Sequence, residues 1–175
     1  MPPPRRERSA IILLEMDLIL WRHADAESGS PDSERKLTER GQVQARRVSL
    51  WLKPRLPVGC EVLVSPATRA QQTALTLGIQ FVTTAAVGID ARAADVVAGA
   101  GWPTRPGTVV VVGHQPTLGR VAAMLLSGAE ADWEFAKGAL WWLVHMDGKI
   151  ALRTVVDPEL VQTRVGPIEA SSEDA

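Results

Sequence analysis

The sequence predicts an α/β protein, a three-layer α/β/α sandwich built on a mostly parallel, mixed sheet. Three observations predict it. Short apolar runs alternate along the chain with stretches of helical periodicity. The run Val109 to Val112 is apolar without alternation, as in a strand buried on both faces of a parallel sheet. Two later apolar runs flank Asp147-Gly148, a hairpin signal that adds an antiparallel edge.

Strands are expected over 17–21, 61–65, 79–82, 108–113, 139–145 and 150–155. The first helix follows Lys36-Leu37-Thr38. Thr38 can cap it, Glu39 suits its positive end and Pro54 stops it. Leu37, Gly41, Ala45, Val48 and Leu52 form its apolar stripe. The second helix is expected to use Ser65 as N-cap and Pro66 as first residue. Gly78 lies beyond its end, and Ala70, Ala74 and Leu77 face inward. A third helix is expected over 91–100. A fourth begins near Pro116 with Leu118, Val121, Ala122 and Leu125 facing in. Trp141 and Trp142 are neighbours on a strand, so they point to opposite faces.

The 175 residues fit one domain, and a hydrophobic content of 46% supplies a sizeable core. A net charge of -1 favours neither nucleic acid nor an anionic membrane, and with the short length it is compatible with a monomer. The single Cys60 excludes an internal disulfide framework and fits a reducing compartment. The apolar run Ala10 to Leu14 is too short for a signal or membrane segment. A cytoplasmic protein is therefore expected. The single domain is placed at residues 16–165. Residues 1–15 read as a disordered extension or a product of start-codon choice, and residues 166–175 as a flexible tail.

Three of the expected strands end in similar style. The first runs into Arg22-His23, the second into Ser65-Pro66-Ala67-Thr68-Arg69 and the fourth into Gly113-His114-Gln115-Pro116. Side chains at the carboxyl ends of neighbouring parallel strands share one crevice. Two arginines and two histidines in one crevice suit a phosphoryl group. The same cations argue against zinc on His23, His114 and Asp25, and no closely spaced ligand pair is present. No cofactor and no metal are expected. His145 is expected to be structural.

Arg22-His23-Ala24, Ser65-Pro66-x-x-Arg69-Ala70-x-x-Thr73 and Gly113-His114-x-Pro116 together resemble the histidine phosphatase superfamily, whose fold is phosphoglycerate mutase-like. The stretch from Asp32 through Arg35, Leu37 and Thr38 to Gly41 is similar to its SixA-type phosphohistidine phosphatases. Ala24 departs from the glycine common at that place. The resemblance implies that neutral His23 attacks phosphorus and becomes phosphohistidine, with its other ring N–H bonded to a backbone carbonyl. It implies that Arg22, Arg69 and protonated His114 neutralise the phosphoryl oxygens. Arg35, Asp32 and Ser65 are further candidates for substrate binding, with Asp32 also a candidate to orient Arg35.

A general acid has no clear motif. Asp95, Asp90 and Asp25 are the candidates, and each also reads as a cap or solvated charge. Its lack tilts the substrate toward phosphohistidine in a protein, since imidazole leaves well once protonated. A sugar or nucleotide phosphate ester, and a phosphoprotein-binding module without turnover, remain the alternatives. The polar stretch 25–35 is expected to loop over the crevice.

Overall fold

A computed structural model describes residues 16–161; the expectations for residues 1–15 and 166–175 lie outside the described residues. Six strands form one sheet: β1 (Met16–Arg22), β2 (Glu61–Val64), β3 (Val82–Thr83), β4 (Gly107–Gly113), β5 (Leu140–Met146) and β6 (Lys149–Val156). Their order is β3-β2-β4-β1-β5-β6. β4 pairs in parallel with β1 and β2, and β5 and β6 form the antiparallel edge. Four helices cover the sheet: α1 (Glu39–Leu52), α2 (Thr68–Leu75), α3 (Ala93–Ala100) and α4 (Thr117–Ser127).

The central strands are apolar throughout because both their faces are covered. Leu18, Leu20, Val109 and Val111 pack under α3 and α4, against Val96, Leu118, Val121 and Ala122. Ile19, Trp21, Val110 and Val112 pack under α1 and α2, against Val48, Leu52, Ala70 and Ala74. This is the three-layer sandwich, in the phosphoglycerate mutase-like arrangement. Trp142 meets Trp51 edge-on on one face, whereas Trp141 stacks on Phe135 at 4.5 Å on the other. Both tryptophans thus serve the core. His145 stands edge-on to Trp102. Among the described residues no helix is long and apolar enough to cross a membrane.

Local signals set most boundaries. Thr38 caps α1 by accepting from the Gly41 N–H at 3.0 Å, and the stripe Gly41, Ala45, Val48, Leu52 is buried. Asp147 and Gly148 both take positive φ in the β5–β6 turn.

Three boundaries differ from expectation. The third strand is only Val82–Thr83, because Ile79 and Phe81 are spent on packing against the core rather than on pairing. α2 begins at Thr68 rather than at Pro66. The Ser65 N–H still bonds Val112 on the neighbouring strand, and its hydroxyl accepts from Ala67, so this turn stays extended. Ser65 is therefore not the N-cap. α3 starts at Ala93, where Asp95 accepts from the Arg92 backbone N–H at 3.1 Å.

Gly41 is where α1 crosses the chain just after His23. A Cβ there would sit 1.9 Å from the Asp25 carbonyl oxygen, with no flexible side chain to yield. Gly41→Ala is expected to lower unfolding free energy by about 3 kcal/mol or more, measured by urea denaturation.

Candidate active site

β1, β2 and β4 end side by side, and backbone hydrogen bonds hold the residues just beyond them. The His23 N–H bonds the Gly113 carbonyl at 3.0 Å, and the His23 carbonyl accepts from Gly138 at 3.1 Å. Arg22, His23, Arg35, Arg69 and His114 line one crevice of about 390 Å³, with Asp32, Gln115 and Lys137. The four residues expected from three strand ends are thus brought together, and the loop bearing Asp32 and Arg35 lies over them.

His23 is 7% exposed. Its Nδ1 lies 2.8 Å from the Ala24 carbonyl oxygen, which can only accept, so Nδ1 carries the proton. Nε2 then keeps its lone pair, and Arg69 Nε donates to it at 3.2 Å. His114 stands with its ring centroid 5.1 Å from that of His23. Its Nδ1 faces Arg69 Nη2 at 3.4 Å, and guanidinium can only donate, so the His114 proton sits on Nε2, 2.7 Å from Ser65 Oγ. Ser65 does not line the crevice; it is fully buried and holds His114 in place.

Burial pushes His23 down from the usual histidine value to about 4, and the nearby Arg69, Arg22 and Arg35 charges push the same way. Burial, with the charges of His23 and Arg69, pushes His114 down to about 3. Both rings are therefore neutral at pH 7 in the unliganded site. For His114 this differs from the protonated form the sequence suggests; the cations beside it disfavour its charge until an anion joins them.

Arg69 is 3% exposed and bonds His23, the Asp32 carbonyl (2.6 Å) and the Asp32 carboxylate (2.9 Å). Arg35 pairs with the same carboxylate at 2.7 Å. These guanidinia hold the Asp32 carboxyl below the usual range. Arg22 donates from Nη1 to the Phe135 carbonyl, while its Nε is a buried donor without a partner.

The candidate acids are placed elsewhere. Asp25 bonds Lys137 at 2.6 Å and Thr38 at 2.8 Å, which hold it ionised, and it does not line the crevice. Asp95 pairs with Arg92 at 3.0 Å and is likewise held low. Asp90 and Asp95 line a neighbouring, mostly apolar cavity of about 400 Å³. A salt-bridged carboxylate is a poor proton donor, so Asp25 and Asp95 do not fit the acid role.

Thr73, named above only within a motif, and Gln44 and Lys137, not singled out at all, also carry the site. Thr73 Oγ1 accepts from the Ala24 N–H at 3.1 Å and donates to the Arg69 carbonyl at 2.8 Å, tying the two strand ends. Gln44 Oε1 accepts from the Asp25 N–H at 3.0 Å. A polar residue beside the apolar stripe of α1 was the available signal for Gln44; Lys137 offered none. The Ala24 methyl is buried with Leu37 and Ala45, so the departure from glycine is accommodated. Among the described residues no cluster of three metal-ligating side chains occurs.

Residues 18–87 match the model of the histidine phosphatase superfamily (branch 1). An uncharacterized Mycobacterium tuberculosis protein is 35% identical over 127 residues, covering 63% of this chain and 73% of that one. The chain belongs to the histidine phosphatase superfamily. Its fold matches a structure assigned as the phosphohistidine phosphatase SixA of Nakamurella multipartitia, with TM-score 0.69, 28% identity and coverage of 82% of this chain and 96% of that one. It also matches the protein histidine phosphatase SixA complexed with tungstate, with TM-score 0.70, 25% identity and coverage of 84% and 100%. Membership in this superfamily, with SixA structures among the matches, supports a phosphatase.

The two depressed histidines bear on stability. Their folded values lie below the unfolded value near 6.5, so the unfolded chain takes up protons first as pH falls. The stability they permit above about pH 6.5 is lost progressively as pH falls from there, down to about pH 4 for His23 and about pH 3 for His114. At pH 5 each costs about 2 kcal/mol. Denaturant midpoints at pH 7 and pH 5 measure this. NMR titration of the ring protons should show His23 and His114 still neutral at pH 5.5.

Proposed function

We propose that this chain is a metal-independent phosphatase of the cytoplasm. In this reading residues 16–165 form its single domain, and it removes the phosphoryl group from phosphohistidine in a protein through a covalent phospho-His23 intermediate. One observation carries the reading. His23 has Nδ1 tied to a backbone carbonyl and Nε2 free of a proton, inside a crevice lined by three guanidinia.

In the first step Nε2 forms a bond to phosphorus while the bond from phosphorus to the substrate's ring nitrogen breaks. The substrate ring first takes up a proton from solvent on its other nitrogen, so that it leaves with the electron pair of the broken bond as a neutral imidazole. Arg22, Arg35 and Arg69 neutralise the three phosphoryl oxygens, and the unpaired Arg22 donor gains an acceptor. The anion raises the proton affinity of His114, whose imidazolium then donates to an oxygen. Ser65 fixes its ring. In the second step water attacks phosphorus, loses a proton and releases phosphate from His23. The arginines supply the charge stabilisation that metal ions give other phosphoryl-transfer sites.

The ionised, salt-bridged state of Asp25 and Asp95 supports phosphohistidine over an ester. An alkoxide leaving group needs a proton donor, whereas imidazole is a stable ring once protonated.

Phosphate release without added metal tests the reading, using a histidine-phosphorylated protein, a phosphoserine peptide and small phosphate esters. The expected result is turnover of phosphohistidine alone, abolished in His23→Ala and lowered on the order of 100-fold in Arg22→Ala. Faster turnover of an ester would transfer the assignment to small phosphate esters. Binding without any turnover would leave a phosphoprotein-binding module.

A further inference from the structure

A crevice lined by cations already holds an anion of its own. Asp32 lies on a short 3-10 turn, Asp32–Glu34, with its side chain 53% exposed. Its carboxylate nevertheless bridges two guanidinia. Oδ1 accepts from Arg35 Nε at 2.8 Å and lies 2.7 Å from Arg35 Nη2, and Oδ2 accepts from Arg69 Nη2 at 2.9 Å. The Asp32 carbonyl accepts from Arg69 Nη1 at 2.6 Å. With Arg69 Nε on His23, all three nitrogens of that guanidinium are engaged. Among the described residues, the two bonds from Arg69 are the only hydrogen bonds joining residues 28–34 to anything beyond Arg35.

We infer that Asp32 is the internal counter-anion of this site, competing with phosphate for Arg35 and Arg69. The inference rests on the crevice being the phosphoryl site. A carboxylate cannot itself bind a phosphoryl oxygen unless one of them is protonated, so Asp32 is no substrate-binding group. It binds the groups that bind substrate. An incoming phosphoryl group takes over Arg69 Nη2 and Arg35, and the Asp32 carboxylate gives way. This frees the loop from one of its two ties to α2. When the reaction ends, the carboxylate returns to the guanidinia and helps phosphate leave. Without it, three guanidinia would hold product phosphate strongly. Asp32 thus trades affinity for release, and it keeps the loop closed between turnovers.

The test is calorimetric binding of inorganic phosphate and of tungstate to the wild type, Asp32→Asn and Asp32→Ala. Hydrogen exchange of residues 27–35 and phosphohistidine turnover are measured beside it. Removing a charge that faces the ligand's own partners should tighten both anions on the order of tenfold. Phosphate inhibition of turnover should strengthen in step, and the loop should exchange faster without ligand. Equal or weaker anion binding in both variants would overturn the inference, because a carboxylate that merely positions the guanidinia gives that sign. Unchanged melting temperatures check that the variants fold. If the wild type binds phosphate without turning over phosphohistidine, and the variants bind tighter, the counter-anion stands and the substrate reading falls. If the wild type does not bind phosphate at millimolar concentration, both fall.

Discussion

A buried guanidinium must have acceptors, and Arg69 shows what that requirement builds. Removing a cation from water without partners is prohibitively costly, so the surrounding chain is arranged to supply them. Arg69 is 3% exposed and draws His23, His114 and the loop bearing Asp32 onto one group. Thr73, one turn along α2, joins the Arg69 carbonyl to the backbone after His23. The site is therefore a small network centred on one cation, and its geometry is inherited from the helix that carries it.

The sheet supplies the rest of the precision. β1, β4 and β2 are adjacent and parallel, so their ends lie level. The ladder runs on past them: His23 bonds Gly113, and Ser65 bonds Val112. His23 and Ser65 thus leave from hydrogen-bonded backbone positions at the strand ends, whereas Asp32 and Arg35 come from the loop above them. Groups held this way need little reorganisation as charge moves between them, which is how fixed dipoles and cations favour phosphoryl transfer.

Charge is balanced within the crevice in an unusual direction. Two imidazoles are held neutral by burial and by neighbouring arginines, while Asp32 offsets part of the guanidinium charge. Two of the three candidate acids are tied up in ion pairs of their own, Asp25 with Lys137 and Asp95 with Arg92, while Asp90 lines the neighbouring cavity.

The sequence by itself determined the α/β class, the covered parallel core and the four residues at three strand ends. Each of these rests on short-range pattern: unbroken apolar runs, helical spacing, and polar residues placed directly after a strand. It also determined the Thr38 cap and the Asp147-Gly148 turn, because both act within a few residues. Only the tertiary structure decided the rest. Ser65 looked like a helix cap from its spacing to Pro66, but His114 and the strand ladder claim it. Ile79 looked like strand, but burial rather than pairing uses it. Asp32, Lys137 and Gln44 take their meaning from partners between 19 and 112 residues away. Electrostatic partnership depends on distance in space, and burial sets its strength, so neither can be read from neighbours along the chain.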